Sequence, residues 1–340
     1  IDGDLNAKQI RSVKIEDLLG RTPIELNNPI LHQEFNNKVI LITGAAGSIG
    51  SVIARQVVSF KYKQIILIDQ AESELYNLQQ YFVNKNNGNI KAIVADIQNK
   101  DRMEVLFEKY KPNLVFHAAA YKHVPLMEDN PYEAVRTNVL GSKNIADVSV
   151  KNYVKKVVMI STDKAVNPTN VMGGTKRIAE MYMNCLNKND HTKFITTRFG
   201  NVLGSNGSVI PLFQTQIDEG GPLTVTHRDI TRYFMTIPEA CQLVLEASCM
   251  GQGGEIFVFD MGSSIKIYDL ALNMIRLSGL KFPEEIDVEI IGLRPGEKIH
   301  EELLGHKENV INTHHEKIMI ATVASFNTDQ VKQQIEELCA

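Results

Sequence analysis

The chain has 340 residues, 44% hydrophobic side chains and a formal charge of −4, which suits a nucleotide-binding fold carrying a substrate lobe and offers no argument for a nucleic-acid partner. Its four cysteines, Cys185, Cys241, Cys249 and Cys339, lie far apart with no Cys-x-x-Cys pair, which speaks for a reducing compartment and against a zinc site. No apolar run approaches the ~20 residues of a membrane span, and no signal peptide is visible.

Residues 1–37, with the polar stop NNPILHQEFNNK, read as an N-terminal extension. The first residue is Ile1 rather than methionine, so the expectation is a fragment of a longer protein. The segment KVILITGAAGSIG then runs an apolar strand (Val39 to Ile42) straight into Gly44, Gly47 and Gly50, with a helical pattern from Ser51. Glycines at these places allow a tight turn, close approach of a pyrophosphate and helix-on-strand packing. The free amides of the helix N-terminus then face the phosphates. A second buried strand, QIILIDQ, ends in Asp69, 19 residues after Gly50. A carboxylate there accepts both ribose hydroxyls of adenosine and repels a 2′-phosphate, favouring NAD over NADP; the rival reading is a helix cap.

Further strands are expected at Ile90–Ala95, Leu114–His117, Val157–Ser161, Phe194–Thr197 and Ile256–Phe259, with helices near 48–60, 71–84, 101–110, 132–152, 172–187 and 238–249. Strands separated by helices argue for an α/β fold with a doubly wound parallel sheet. The NAD-binding Rossmann domain is expected over 38–199 plus 238–260. A smaller lobe that binds the substrate is expected over 200–237 plus 261–340.

Asp96 ends the third strand, where it either meets the adenine or caps the next helix. After the fourth strand, HAAAYKHVP offers small alanines beside the cofactor, with Tyr121, Lys122 and His123 in reach of a substrate. The stretch VVMISTDKAVNPTNVMGGTKR ends a strand in Thr162, Asp163 and Lys164, then opens a helix with Met172 and Lys176 on one face. In a short-chain dehydrogenase that helical pair would be tyrosine and lysine. Methionine carries no proton, so the protonic work moves to the strand end, while Lys176 serves the nicotinamide ribose. In the second lobe, RFGNVLGSNGSVIP follows the sixth strand. Arg232 and Arg294 are candidates for clamping a diphosphate.

Taken together, TGAAGSIG, HAAAYKHVP, STDKAVNPTNVMG-x-TKR, RFGNVLGS-x-GSVIP, ITRYFMTIPEA and LRPGEKIHEELL resemble the extended short-chain dehydrogenase/reductase superfamily. Within it they resemble the nucleotide-sugar 4,6-dehydratases of the CapD, WbpM and PglF type, the UDP-N-acetylglucosamine 4,6-dehydratases of bacillosamine biosynthesis above all. Methionine at 172 looks like the long, membrane-anchored branch. The resemblance implies NAD held by Gly44, Gly47, Ser48, Ile49, Gly50, Asp69, Asp96, Ile97, Ala118, Ala119 and Lys176. It implies a nucleotide diphosphate held by Asn201, Val209, Arg232, Arg294 and Glu297, beside Tyr121, Lys122 and Met172. It also implies a homo-oligomer, and a soluble cytosolic portion at the cytoplasmic face of a bacterial inner membrane.

Dehydration without net redox needs hydride removal at C4, loss of the C5 proton, expulsion of the C6 hydroxyl and hydride return to C6. Thr162 is assigned to bond O4, Asp163 to protonate the departing hydroxyl and Lys164, partly neutral beside the cation Lys176, to take the C5 proton, with retention at C5 favoured. Asp163 is the favoured acceptor of the O4 proton. The alternatives are a UDP-sugar 4-epimerase and a non-catalytic NAD-sensing relative.

Overall fold

The computed structural model describes residues 29–187, 191–305, 309–322 and 327–339; residues 1–28 of the expected extension lie outside them. The strands are β1 (Val39–Thr43), β2 (Gln64–Asp69), β3 (Ile90–Val94), β4 (Leu114–His117), β5 (Lys156–Thr162), β6 (Lys193–Phe199), β7 (Asn201–Leu203), β8 (Leu223–Val225), β9 (Thr231–Arg232), β10 (Phe234–Thr236), β11 (Ile256–Phe259), β12 (Ile265–Lys266), β13 (Val288–Ile290), β14 (Asn309–Asn312) and β15 (Ile318–Thr322). The helices are α1 (Pro29–Phe35), α2 (Ser48–Val57), α3 (Glu72–Asn84), α4 (Lys100–Tyr110), α5 (Val124–Asp129), α6 (Pro131–Ala134), α7 (Ser142–Lys151), α8 (Val171–Leu186), α9 (Val209–Asp218), α10 (Ile237–Met250), α11 (Ile267–Leu277) and α12 (Thr328–Cys339).

Nine strands form one sheet in the order β14-β15-β11-β6-β5-β4-β1-β2-β3. It is parallel from β11 to β3, with β15 and β14 antiparallel at one edge. Every residue of β1 and β4 is buried, because helices cover both faces and the strand must be apolar throughout. Successive residues serve opposite layers. Ile40 and Ile42 pack with Ile53, Ala54 and Val244 of α2 and α10, while Val39 and Leu41 pack with Met103, Phe107, Ala146 and Met183 of α4, α7 and α8. The strand order reverses between β1 and β4, and this switch point opens a crevice beyond their carboxyl ends.

Three boundaries differ from the sequence reading. Leu31 and Phe35, four apart on α1, are buried in the first layer, so this end of the expected extension belongs to the core. β15 pairs with β11 and buries Ile318 and Ala321, while α12 buries Val331 and Ile335 against the second layer. Residues 309–322 and 327–339 therefore complete the nucleotide-binding body rather than the smaller lobe. The single helix expected over 132–152 is instead α6, a π-helical stretch Val135–Gly141, and α7. The smaller lobe has its own core, in which Leu203, Phe213, Leu223, Phe234, Ile267 and Leu270 meet.

Candidate active site

A trough runs along the crevice in two connected halves of about 500 and 460 Å³. Both halves share walls at Gly44, Gly47, Ala118, Ala120, Tyr121 and His123. Gly44 adopts φ +63, and a Cβ there would come within 2.5 Å of the Ala119 amide nitrogen, so the turn fits a backbone in close contact with β4. Helix α2 begins at Ser48 with no side-chain cap, which leaves its first amides to an anion.

Asp69 lines the first half. Its Oδ2 accepts the Ala46 amide at 2.9 Å and its Oδ1 the Ala71 amide at 3.0 Å. Each oxygen keeps a further lone pair, so holding the turn leaves room to accept a ribose hydroxyl. Asp96 and Ile97 line the same half. Asp96 accepts the Gln98 amide, and the cap of α4 is Asn99 rather than Asp96. These features fit a dinucleotide: a bare glycine cradle, uncapped amides and a carboxylate at a strand end.

The second half is walled by Ser48, Ile49, Gly50, Tyr121, Lys122, Thr162, Lys164, Met172, Lys176, Asn201 and Val209 among others. Lys176 is buried; its Nζ donates to the Ile160 carbonyl at 2.6 Å. Burial lowers its pKa to about 8, with the Glu180 carboxylate opposing. Burial also lowers Lys122. Met172 is only 3% exposed and packs with Met127 and Ala134, so it fills a core and walls the cavity at once. Gly173 beside it explains how α8 comes so near: a Cβ there would stand 2.1 Å from the Lys164 carbonyl oxygen.

Asp163, assigned to the departing hydroxyl and the O4 proton, is not itself on the cavity wall. It is 1% exposed and lies beneath the cavity wall, behind Thr162 and Lys164. Its Oδ1 accepts from Thr162 Oγ1 at 2.8 Å and from Lys164 Nζ at 3.0 Å. Its Oδ2 is buried without a hydrogen-bond partner among the described residues. The hydrogen bonds of Asp163 thus run to the Thr162 hydroxyl and the Lys164 amine on the wall.

The second-lobe candidates divide. Asn201 Oδ1 accepts from Lys164 Nζ at 3.1 Å, and Val209 opens α9 at the cavity. Arg232 is buried outside the wall; it donates to the Thr231 and Ile299 carbonyls and, at 3.2 Å, to Glu297 Oε1. Arg294 is exposed, and its amide is held by Glu297.

Sequence reasoning missed three supports. Asn138, in the π-helical stretch, accepts the Tyr121 amide at 2.8 Å, donates to the Tyr121 carbonyl at 3.0 Å and donates to Thr175 Oγ1. It thereby joins the loop after β4 to α8, and no local pattern announces it. Glu180, one turn beyond Lys176, accepts from Ser161 Oγ, Arg177 and the buried Arg198. Burial raises the carboxyl, but Arg198, Ser161 and Arg177 together hold it below its ordinary value. His117 is fully buried between Thr43 Oγ1 and Ser142 Oγ. Burial, then Lys176, lowers it to about 3, so it is a neutral core residue.

The sequence matches the family described as "Polysaccharide biosynthesis protein" over residues 40–323. It is 52% identical to the capsular polysaccharide biosynthesis protein CapD of Staphylococcus aureus over 99% of this chain and 57% of that protein. The chain thus spans about half the length of such relatives. A Campylobacter jejuni UDP-N-acetylglucosamine 4,6-dehydratase (inverting) and a Rickettsia rickettsii UDP-glucose 4-epimerase are each 35% identical over 81% of this chain and 80% of theirs. Among solved structures, Pen from Bacillus thuringiensis superposes with a TM-score of 0.79 at 36% identity, over 89% of this chain and 98% of that one.

Proposed function

The chain belongs to the polysaccharide biosynthesis protein family, and on that premise we propose that it catalyses the NAD-dependent 4,6-dehydration of UDP-N-acetylglucosamine to the UDP-2-acetamido-2,6-dideoxy-4-keto-hexose. In this proposal it works within a longer protein at the cytoplasmic face of a membrane, supplying sugars for polysaccharide or glycoprotein assembly. The observation that carries the reading is the wired set at the end of β5: a hydroxyl and an amine on the cavity wall, both bonded to one buried carboxylate. The tyrosine position beside it holds an inert methionine. A 4-epimerase needs a proton acceptor at O4 alone. An amine for C5 and a stored proton for the C6 hydroxyl are what a dehydratase adds.

When bound, NAD accepts hydride from C4 and returns it to C6, so the chain's own work is protonic. Thr162 Oγ1 bonds O4 and passes its proton along the 2.8 Å bond to Asp163. Neutralising Asp163 removes a charge that holds the Lys164 ammonium, which sheds a proton to solvent through its 15% exposed side chain, and the amine so formed takes the C5 proton. Asp163 then returns its proton through Thr162 to the departing C6 hydroxyl. Each such transfer by a fixed side chain is worth about 10²–10⁴-fold. Burial leaves Lys176 only partly charged near pH 8, so it favours a neutral amine at Lys164 less than the full cation of the sequence reading would.

The test is incubation of the NAD-loaded protein with UDP-N-acetylglucosamine, followed by mass and NMR analysis. Loss of one water and a 4-ketone are expected, with C5 configuration read from the same spectrum. A product of unchanged mass with inverted C4 would make the chain an epimerase, and an unreactive NAD complex would make it a sensor.

A further inference from the structure

One carboxylate oxygen stands between the two cationic ends of the site. Oε1 of Glu301 lies 3.7 Å from Lys164 Nζ and 4.0 Å from Arg232 Nε. Glu301 is 7% exposed and sits on a loop tied at both sides. The Thr231 amide donates to the Ile299 carbonyl at 3.0 Å, beside a bridge from Thr231 to His300. Lys298 Nζ donates to the Val166 carbonyl, two residues past Lys164, and to Glu302. The loop therefore fixes Glu301 relative to both cations. The charged groups around this point are Asp163 on the far side of Lys164, Glu297 on the far side of Arg232, and Lys176 in the same cavity wall.

Arg232 donates its Nη1 to the Thr231 and Ile299 carbonyls, its Nη2 is held by Glu297 and its Nε faces Glu301. We propose that Glu301 is a positioning residue that couples filling of the diphosphate clamp at Arg232 to the state of Lys164. The inference rests on the dehydratase reading above for the role of Lys164. A diphosphate arriving at Arg232 competes with Glu301 for the guanidinium. Glu301 is then left to Lys164 alone and steadies its ammonium until Asp163 has gained the O4 proton. Seating of the nucleotide thus holds Lys164 as the ammonium until the O4 proton has moved.

The experiment uses the NAD-loaded full chain with Glu301→Gln and Glu301→Asp. UDP affinity is measured by calorimetry, and kcat and KM with UDP-N-acetylglucosamine are followed across pH. In Glu301→Gln a competitor for Arg232 is gone, so UDP is expected to bind about fivefold tighter. The loss of a negative charge within 4 Å of the amine favours its neutral form, so the rising limb of kcat against pH should move about one unit lower. A weaker base should also lower the plateau, by about tenfold. Glu301→Asp, which restores the charge, should return the limb towards wild type; it also carries the test if the amide variant does not fold. The inference is overturned if UDP affinity and the position of the limb stay at wild-type values while kcat merely follows the folded fraction. If wild type releases no water, the dehydratase reading falls, and the UDP affinities still decide whether Glu301 opposes the clamp.

Discussion

At the adenosine half of the trough, Asp69 and Asp96 each accept an amide two residues further along the chain, so strand end and carboxylate are set by the same short segment. At the sugar half, Lys164 reaches Asn201 on β7 and Glu301 on a distant loop, and only its bond to Asp163 is local. The first half is built mostly on backbone amides, with the Ala46 amide held by Asp69 from 23 residues away, and should tolerate single changes with graded loss. The second is assembled from three segments of two lobes around one buried carboxylate, and removing a member leaves charges without partners.

The largest expected effect is therefore at the sugar half. Asp163→Asn and Lys164→Met should each lower kcat by about 10²-fold or more, with UDP-sugar affinity nearly intact; steady-state kinetics on each variant would place either residue outside the reaction if turnover stayed near normal.

A second effect, this time on stability, should come from Lys176. Its folded pKa, about 8, lies below the ordinary 10.5, so between these values the unfolded chain binds more protons and stability rises with pH. The gain is about 3 kcal/mol across that window, lost below pH 8 and absent in Lys176→Met. Denaturant midpoints of both proteins at pH 8 and pH 10.5 would reveal equal slopes if burial of the ammonium carries no cost.

At the adenosine half, Asp69→Ala should weaken NAD binding by about tenfold, the worth of a charge-assisted bond, and leave the fold intact. Supplying NADP to stripped wild-type protein should not restore activity, and full rescue would remove the ribose role of Asp69. The smallest change is expected for Met172→Leu, a volume-conserving swap costing less than ~1.5 kcal/mol, with most turnover kept. Met172→Tyr should not raise turnover, since a phenol enters a wall already closed by Met127 and Ala134.

The same contrast explains what could be read from residues alone. The parallel strands of the central sheet, their burial and the glycine turn follow from apolar runs and short-range spacing, and they lie where the sequence puts them. The edge strand β14 was hidden because it is exposed along its whole length; β15 carries an apolar run, IMIAT, but its place beside β11 depends on a return of the chain that no local spacing gives. The π-helical stretch, Asn138 and Glu301 were hidden because their meaning depends on partners brought near only by the fold. Asp163 was legible as a proton-carrying group, but its place behind Thr162 rather than on the wall depends on how β5 turns into the residues that follow.

The central claim is that the strand end, not the helix, handles the protons. Lys164 is still 15% exposed at its side chain, so its amine exchanges with solvent between taking the C5 proton and returning one. Turnover of UDP-N-acetylglucosamine in deuterium oxide by the NAD-loaded chain measures this directly. The account predicts a dehydrated 4-keto product with one deuterium at C5, formed by wild type and by Met172→Leu and nearly abolished in Lys164→Met. A product with hydrogen retained at C5, or undiminished deuterium incorporation in Lys164→Met, would contradict it.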